Sequence, residues 1–276
     1  MSEEIVLQRS PSQSTEPTVD STPKYPSESI DLPSNGYFYP NTSPLSKGVV
    51  ELKMMTAKEE DILTSQNLIK KGIVLDKLLE SLIVTPNIKI GDLLICDKNA
   101  LFVAARRLAY GDSYGPLQIK CPSCTEESKE TIDLSQLKEK PIDFDKFQKE
   151  KNIFEFQLPF SKKMVNFRLL TSKDEDEVDS EVKSVSKYLK SGGSAEITTR
   201  LKKLIISIDG NDDRSAINKF VDEELLSRDS SALRAHIRNL SPELDMSFNF
   251  RCPSCDHEER MDVPMTVQFF WPDAGV

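Results

Sequence analysis

Cys121-Pro122-Ser123-Cys124 and Cys252-Pro253-Ser254-Cys255 are one four-residue word written twice in the same chain. Their settings match as well. The first is entered through Leu117-Gln118-Ile119-Lys120, the second through Met246-Ser247-Phe248-Asn249-Phe250-Arg251. Each is left through polar residues into a further alternation, Glu130-Thr131-Ile132-Asp133-Leu134 or Arg260-Met261-Asp262-Val263. Period-two alternation marks a half-buried strand, so each copy reads as strand, knuckle, strand. A two-residue spacer turns the chain tightly enough for both sulfurs to face one ion, and two such knuckles make a tetrahedral four-thiolate zinc site. The candidate ligands are Cys121, Cys124, Cys252 and Cys255, and the expected cofactor is a structural Zn2+. Four thiolates leave no open position for water or substrate, so the site is structural rather than catalytic.

Two other readings of the pairs compete. Disulfides need an oxidising compartment, and the opening Met1-Ser2-Glu3-Glu4-Ile5-Val6-Leu7 lacks the basic region and apolar core of a secretory signal. A redox pair needs a βαβ context and gains nothing from being doubled.

The distance between the copies is unusual. Ordinary ribbons place their knuckles about 15–20 residues apart, whereas 127 residues separate Cys124 from Cys252. If one ion binds both, everything from Thr125 to Arg251 is an insertion hung from a metal clasp. Closing so long a loop couples metal binding to the folding of the insertion.

The chain has 276 residues, room for one large or two small domains. Hydrophobic residues at 38% and a mean hydropathy of -0.41 fit a soluble globular protein with a polar tail. The net charge of -9 opposes a nucleic-acid role, which needs a positive footprint. No apolar run reaches the length of a membrane span. Five cysteines, four of them in knuckles, suit a reducing cytoplasm, and Cys96 reads as a small core residue.

Residues 1–29 are rich in Ser, Thr, Pro and Glu, and are expected to be disordered or extended along a partner. Leu32-Pro33-Ser34-Asn35-Gly36-Tyr37-Phe38-Tyr39-Pro40 is a turn followed by aromatics, either pinned on the core or offered as a contact. Val49 to Met54 reads as a strand. Thr56-Ala57-Lys58-Glu59 is a capping box opening a helix that Gly72 stops. A second helix runs from Leu75 to Val84, and a third follows Asp97 as N-cap and ends at Tyr110-Gly111. On it, Arg106 and Arg107 either bind a carboxylate or phosphate beside Tyr110 and Tyr114, or hold local carboxylates such as Asp92 or Asp97.

Beyond the first knuckle, Phe154 to Leu158 and Val165 to Leu169 form a hairpin. Four helices are expected after it: Asp174 to Lys190, Glu196 to Ser207, Ser215 to Leu226, and Ser230 to Asn239 with Asp229 as N-cap. The first carries Val178, Val182, Val185 and Leu189 on one stripe, and Ser191-Gly192-Gly193-Ser194 is a flexible break. Phe269-Phe270-Trp271-Pro272 is too apolar to be a free end and docks on this chain or on a partner.

No catalytic signature emerges. His236 reads as a packing or surface residue, and His257 stands beside a knuckle that four cysteines already complete. There is no Gly-rich phosphate loop, H-E-x-x-H or G-x-S-x-G. The chain is not expected to be an enzyme.

Several stretches together resemble the baseplate hub and hub-assembly proteins of T-even-like contractile-tailed bacteriophages. They are Leu32 to Pro40, then Arg106 through Tyr110-Gly111 and Tyr114 into Cys121 and Cys124, and next Ile208-Asp209-Gly210 and Phe220-Val221. Asp229 with Leu233-Arg234, Pro242, Cys252, Cys255 and Phe269 to Pro272 complete the series. The resemblance covers about residues 30 to 272 and rests on the order of the motifs. It implies a structural or assembly protein of a tail baseplate hub that works through contacts with other hub and tail proteins. Its place would be the host cytoplasm during assembly and the virion tail. The zinc expectation rests on the cysteines of this sequence alone. The competing function is a nucleic-acid-binding zinc-ribbon regulator. It would need a basic face at the knuckles, where Glu126, Glu127, Glu130, Glu258 and Glu259 outnumber Lys120, Lys129, Arg251 and Arg260.

The expected fold is α+β and mostly helical, with a discontinuous four-cysteine zinc ribbon clasping a long hairpin-plus-helices insertion. The expected division is a disordered tail (1–29), an N-terminal turn, strand and helical region (30–115), a split ribbon (116–135 plus 244–272) and an inserted domain (136–243).

Overall fold

The computed structural model describes residues 25–186, 195–265 and 267–270. The expected tail lies outside them as far as residue 24, but its last residues do not behave as tail. From Ser27 the chain is strand β1 (Ser27–Asp31), paired antiparallel with β2 (Val49–Lys53), with Ile30 opposite Val50.

Between these strands the Leu32–Pro40 turn packs back against Gly48 at the end of the loop, and Gly36 and Gly48 both stand at positive φ. A Cβ on Gly36 would lie 2.6 Å from Gly48 N, and one on Gly48 would lie 2.7 Å from Asn35 O, so neither position accepts a side chain. Phe38 and Tyr39 are buried, which selects the core-pinned reading of this turn.

Helices α1 (Ala57–Thr64), α2 (Gln66–Lys71), α3 (Val74–Leu82) and α4 (Ile95–Tyr110) follow. The capping box forms: Glu59 accepts from the Thr56 N–H at 2.9 Å and from its hydroxyl at 2.6 Å. The single helix expected up to Gly72 is two, broken where Ser65 turns extended. Gly72 and Ile73 donate back to Ile69 and Leu68, closing α2 in a Schellman motif. On α3, Val74, Leu78, Leu79 and Leu82 are buried, placing one full stripe in the core.

Strands β3 (Ser113–Lys120) and β4 (Glu127–Asp133) form the first knuckle hairpin. The insertion then carries β5 (Phe154–Gln157), β6 (Met164–Phe167), α5 (Ser172–Ser186), α6 (Glu196–Leu204), β7 (Ile205–Ile208), α7 (Arg214–Lys219) running into a π-helical turn (Phe220–Glu224), and α8 (Ser227–Leu240). The second knuckle hairpin, β8 (Ser247–Arg251) and β9 (Glu258–Asp262), and the short α9 (Val267–Phe270) are the last of the described elements.

The helix expected to reach Ser207 stops at Leu204. Ile205–Ile208 instead adds a third antiparallel strand beside β6, with Ile205 opposite Phe167 and Ile208 opposite Val165. The β-branched Ile205, Ile206 and Ile208 suit a pleated surface, and pairing overrides helix periodicity here. On α5, Val178 is buried but Val185 is exposed; Leu189 and the Ser191–Ser194 break lie outside the described residues.

One contiguous core runs from Leu32 through Leu78, Leu101, Phe154, Phe167, Leu201 and Leu233 to Val263, Phe269 and Phe270. The insertion therefore does not hang from the cysteines alone. It shares this core with the N-terminal region and adds backbone bonds to it, Ser172 N–H to Leu93 O at 2.7 Å and Ile95 N–H to Leu170 O at 3.2 Å. At its neck the two passing chains are zipped by Lys140 N–H to Glu243 O and Asp245 N–H to Lys138 O. Within the described residues the C-terminal Phe269 and Phe270 dock on this chain, edge-on to Tyr114 and Phe102. Trp271 and Pro272 lie outside them.

Candidate metal centre

The two knuckle hairpins repeat each other bond for bond. Cys121 N–H donates to Glu126 O at 2.8 Å and Thr125 N–H to Cys121 O at 2.9 Å. In the second copy Cys252 N–H donates to His257 O at 2.9 Å and Asp256 N–H to Cys252 O at 3.0 Å. Thr125 and Asp256 sit at matching positive φ, 63° and 57°. The strands close in the same register, Lys120 opposite Glu127 and Arg251 opposite Glu258. Two residues ahead of each first cysteine, Ile119 and Phe250 join Cys121 and Cys252 in a small core of their own. Leu117, Phe248 and Met261 pack against its edge. These packed strands bring two distant segments together and aim four sulfurs at one point.

All four sulfurs lie within 4.8 Å of one another. Cys121 Sγ is 3.7 Å from Cys255 Sγ, and Cys124 Sγ is 3.6 Å from Cys252 Sγ, so both of these short edges join one copy to the other. A tetrahedron with metal–sulfur bonds of about 2.3 Å has edges of about 3.8 Å. Disulfide sulfurs would stand about 2.05 Å apart, and all five cysteines are free. Cys121 and Cys252 are buried while Cys124 and Cys255 face solvent. The N–H groups of Cys124 and Ser123 hold the Cys121 pKa down at about 6. The Glu126 N–H lowers that of Cys124, but the surrounding sulfurs and the loss of water outweigh it and push it up to about 12. Four sulfurs this close cannot all ionise unaided, and a divalent cation at their centre would remove the conflict.

The sequence's other candidates lie elsewhere. His257 places Nε2 3.3 Å from Glu259 Oε2 and contributes only its carbonyl to the knuckle. His236 stacks on Phe156 with ring centroids 4.3 Å apart, a packing role, and burial lowers its pKa. Arg251 and Arg260, the arginines nearest the knuckles, are engaged by Asp256 and Asp245. Among the described residues the four cysteines are the one group of His, Cys, Asp or Glu side chains placed to hold a metal.

Three charged residues have roles that local sequence did not indicate. Asp97 is not an N-cap, since α4 begins two residues before it. It is buried and accepts from Ser34 N–H at 3.0 Å, Ser34 Oγ at 2.7 Å and Tyr39 OH at 2.6 Å, fastening the glycine turn to α4. Asp229 likewise lies inside α8 and binds the backbone of the β5–β6 turn. Arg106, 2% exposed, holds neither Asp92 nor Asp97. Its guanidinium donates to three carbonyls, Phe269 at 2.8 Å, Gly111 at 3.3 Å and Ser113 at 3.1 Å, under the ring of Tyr110. It thereby ties the C-terminal segment to the strand that leads into the first knuckle. Arg107 pairs with Asp112. The motif order in the sequence was the only signal that these residues belong together.

A family model described as T4 bacteriophage base plate protein matches residues 30–271. No curated protein and no solved structure matches the chain.

Proposed function

The chain belongs to the T4 bacteriophage base plate protein family, and from that premise we propose that it serves in the baseplate hub, as a subunit or as an assembly factor, with one structural zinc ion. The observation that carries the metal assignment is the pair of inter-hairpin sulfur distances, 3.7 and 3.6 Å, within a four-sulfur group. Tetrahedral sulfur sites take zinc or iron. Zinc suits a site whose task is to join two hairpins, because it brings no redox chemistry. Cys121, Cys124, Cys252 and Cys255 would hold it, and all four sulfurs would be used in doing so.

A structural baseplate role agrees with a site closed to substrate. Its partners are then other tail proteins, and none of the helices is long and apolar enough to cross a membrane among the described residues. The experiment is mass spectrometry of purified phage particles beside infected-cell lysate. A hub subunit is found in particles at fixed ratio to other baseplate proteins, and an assembly factor is found only in the lysate with assembly intermediates. Absence from both the particles and the intermediates would refute the role.

A further inference from the structure

Phe160 stands at the apex of the turn between β5 and β6 and is 60% exposed. The turn beneath it is fixed from below. Asp229 reaches across from the first turn of α8, and its carboxylate accepts from Phe160 N–H at 2.8 Å and Ser161 N–H at 2.9 Å. Asp229 itself is 0% exposed. A buried carboxylate is costly unless its bonds are made, and here it is spent on holding a surface turn that presents an aromatic ring to water.

The neighbours of the ring share a character. Leu226, just ahead of α8, is 46% exposed. The Arg228 guanidinium lies 5.9 Å from the Phe160 ring centre. Lys162 is exposed in the same turn at a φ of 61°. Lys163 is neutralised by Glu224 at 3.0 Å, whereas Lys162 and Arg228 make no ion pair within 4 Å among the described residues, and the charge of Lys162 helps to hold down the Asp229 carboxyl pKa. An acidic chain of net charge -9 thus carries, at this tip, an aromatic anchor flanked by two exposed cations, neither of them in an ion pair among the described residues.

We infer that this hairpin tip docks into another tail protein, with Phe160 entering an apolar pocket whose rim carries carboxylates that meet Lys162 and Arg228. Aromatic residues and arginine dominate the energy of interfaces. A turn already held in its bound shape loses little freedom on docking. Exposed surface cations select a partner of opposite charge. The inference rests on the reading of this chain as a tail protein.

The test is complementation of a phage lacking this gene with full-length parent protein, Phe160→Ala, Phe160→Tyr, or Arg228→Glu. Assembled tails and the amount of this protein in tail complexes are counted. Folding is checked by melting temperature and metal content, which these exposed substitutions should leave unchanged. The expected result is at least a tenfold loss of assembled tails for Phe160→Ala and for Arg228→Glu, with Phe160→Tyr close to parent. Tail numbers equal to parent for Phe160→Ala overturn the inference. A parent protein that is dimeric by light scattering and becomes monomeric on Phe160→Ala also overturns it, because the tip then joins copies of this chain. A parent protein that fails to restore tails refutes instead the reading as a tail protein, and all variants then fail alike.

Discussion

The Tyr39 hydroxyl donates to Asp97 Oδ2 at 2.6 Å and accepts from the Leu94 N–H at 2.8 Å. This one side chain ties the glycine turn to both the start and the first turn of α4. Burial raises the Asp97 pKa, partly offset by the donors from Tyr39 and Ser34. Burial likewise pushes the Tyr39 hydroxyl up, so it stays a donor at every working pH. Replacing Asp97 by Ala leaves three buried donors without their acceptor. The expected cost is about 2–4 kcal/mol, read as a lowered urea midpoint. Asp97→Asn keeps one acceptor oxygen and should cost less. A midpoint equal to parent for Asp97→Ala would show that the turn is held by its glycines and aromatics alone.

Glu59 supplies a pH dependence. Against the penalty of burial, hydrogen bonds from Lys53, Thr56 and Ser81 hold its carboxyl at about 2, below the usual value of 4.5. A depressed carboxyl pKa stabilises the fold above the unfolded value. That contribution is lost as pH falls from about 5 toward 2. It amounts to a few kcal/mol at most, on the order of one per pKa unit. Glu59→Gln should therefore lower stability at pH 7 and narrow its difference from parent as the pH approaches 2. Comparing variant with parent at each pH cancels any separate loss of metal in acid. A difference that stays constant from pH 7 to pH 3 would contradict the assignment.

Arg106→Lys tests the C-terminal tie. A lysine is a point charge and cannot reproduce the planar fork that reaches Phe269, Gly111 and Ser113 together. At least one buried carbonyl loses its donor, at about 1–3 kcal/mol. Limited proteolysis should then cut first within the segment ending at Phe270, with faster release than in parent. Unchanged cleavage would mean that the contacts of Phe269 and Phe270 with Tyr114 and Phe102 suffice.

Metal removal should be local. The insertion shares its core and backbone bonds with the N-terminal region, so chelation is expected to loosen the two knuckle hairpins and leave the helices largely intact. Hydrogen exchange should speed up in β3, β4, β8 and β9 and change little in α3 and α8. Global loss of helical circular dichroism on chelation would contradict this and restore the picture of an insertion hung from the clasp.

The gathering of the four cysteines was legible because tight spacing shapes each knuckle locally, and Ile119 and Phe250 were present in the same alternation. The capping box at Thr56 and the glycine stop at Gly72 were local for the same reason. Asp97 and Asp229 were misread because an aspartate before an apolar helix looks like an N-cap, whereas each binds a turn 58 to 69 positions away. Ile205 to Ser207 reads as the end of a helix in sequence because only the partner strand β6 makes this stretch a strand. The grip of Arg106 on Phe269 spans 163 positions, a pairing that no window of sequence contains.

The central claim is that one zinc ion joins two hairpins from distant parts of the chain. It is tested most directly by metal analysis with X-ray absorption on protein purified without added zinc, together with Cys121→Ser and Cys252→Ser. The account predicts one zinc per chain with four sulfur neighbours at about 2.3 Å, and loss of most of that zinc in both variants alike. No metal, iron in its place, two ions per chain, or zinc retained by one variant and lost by the other would contradict it.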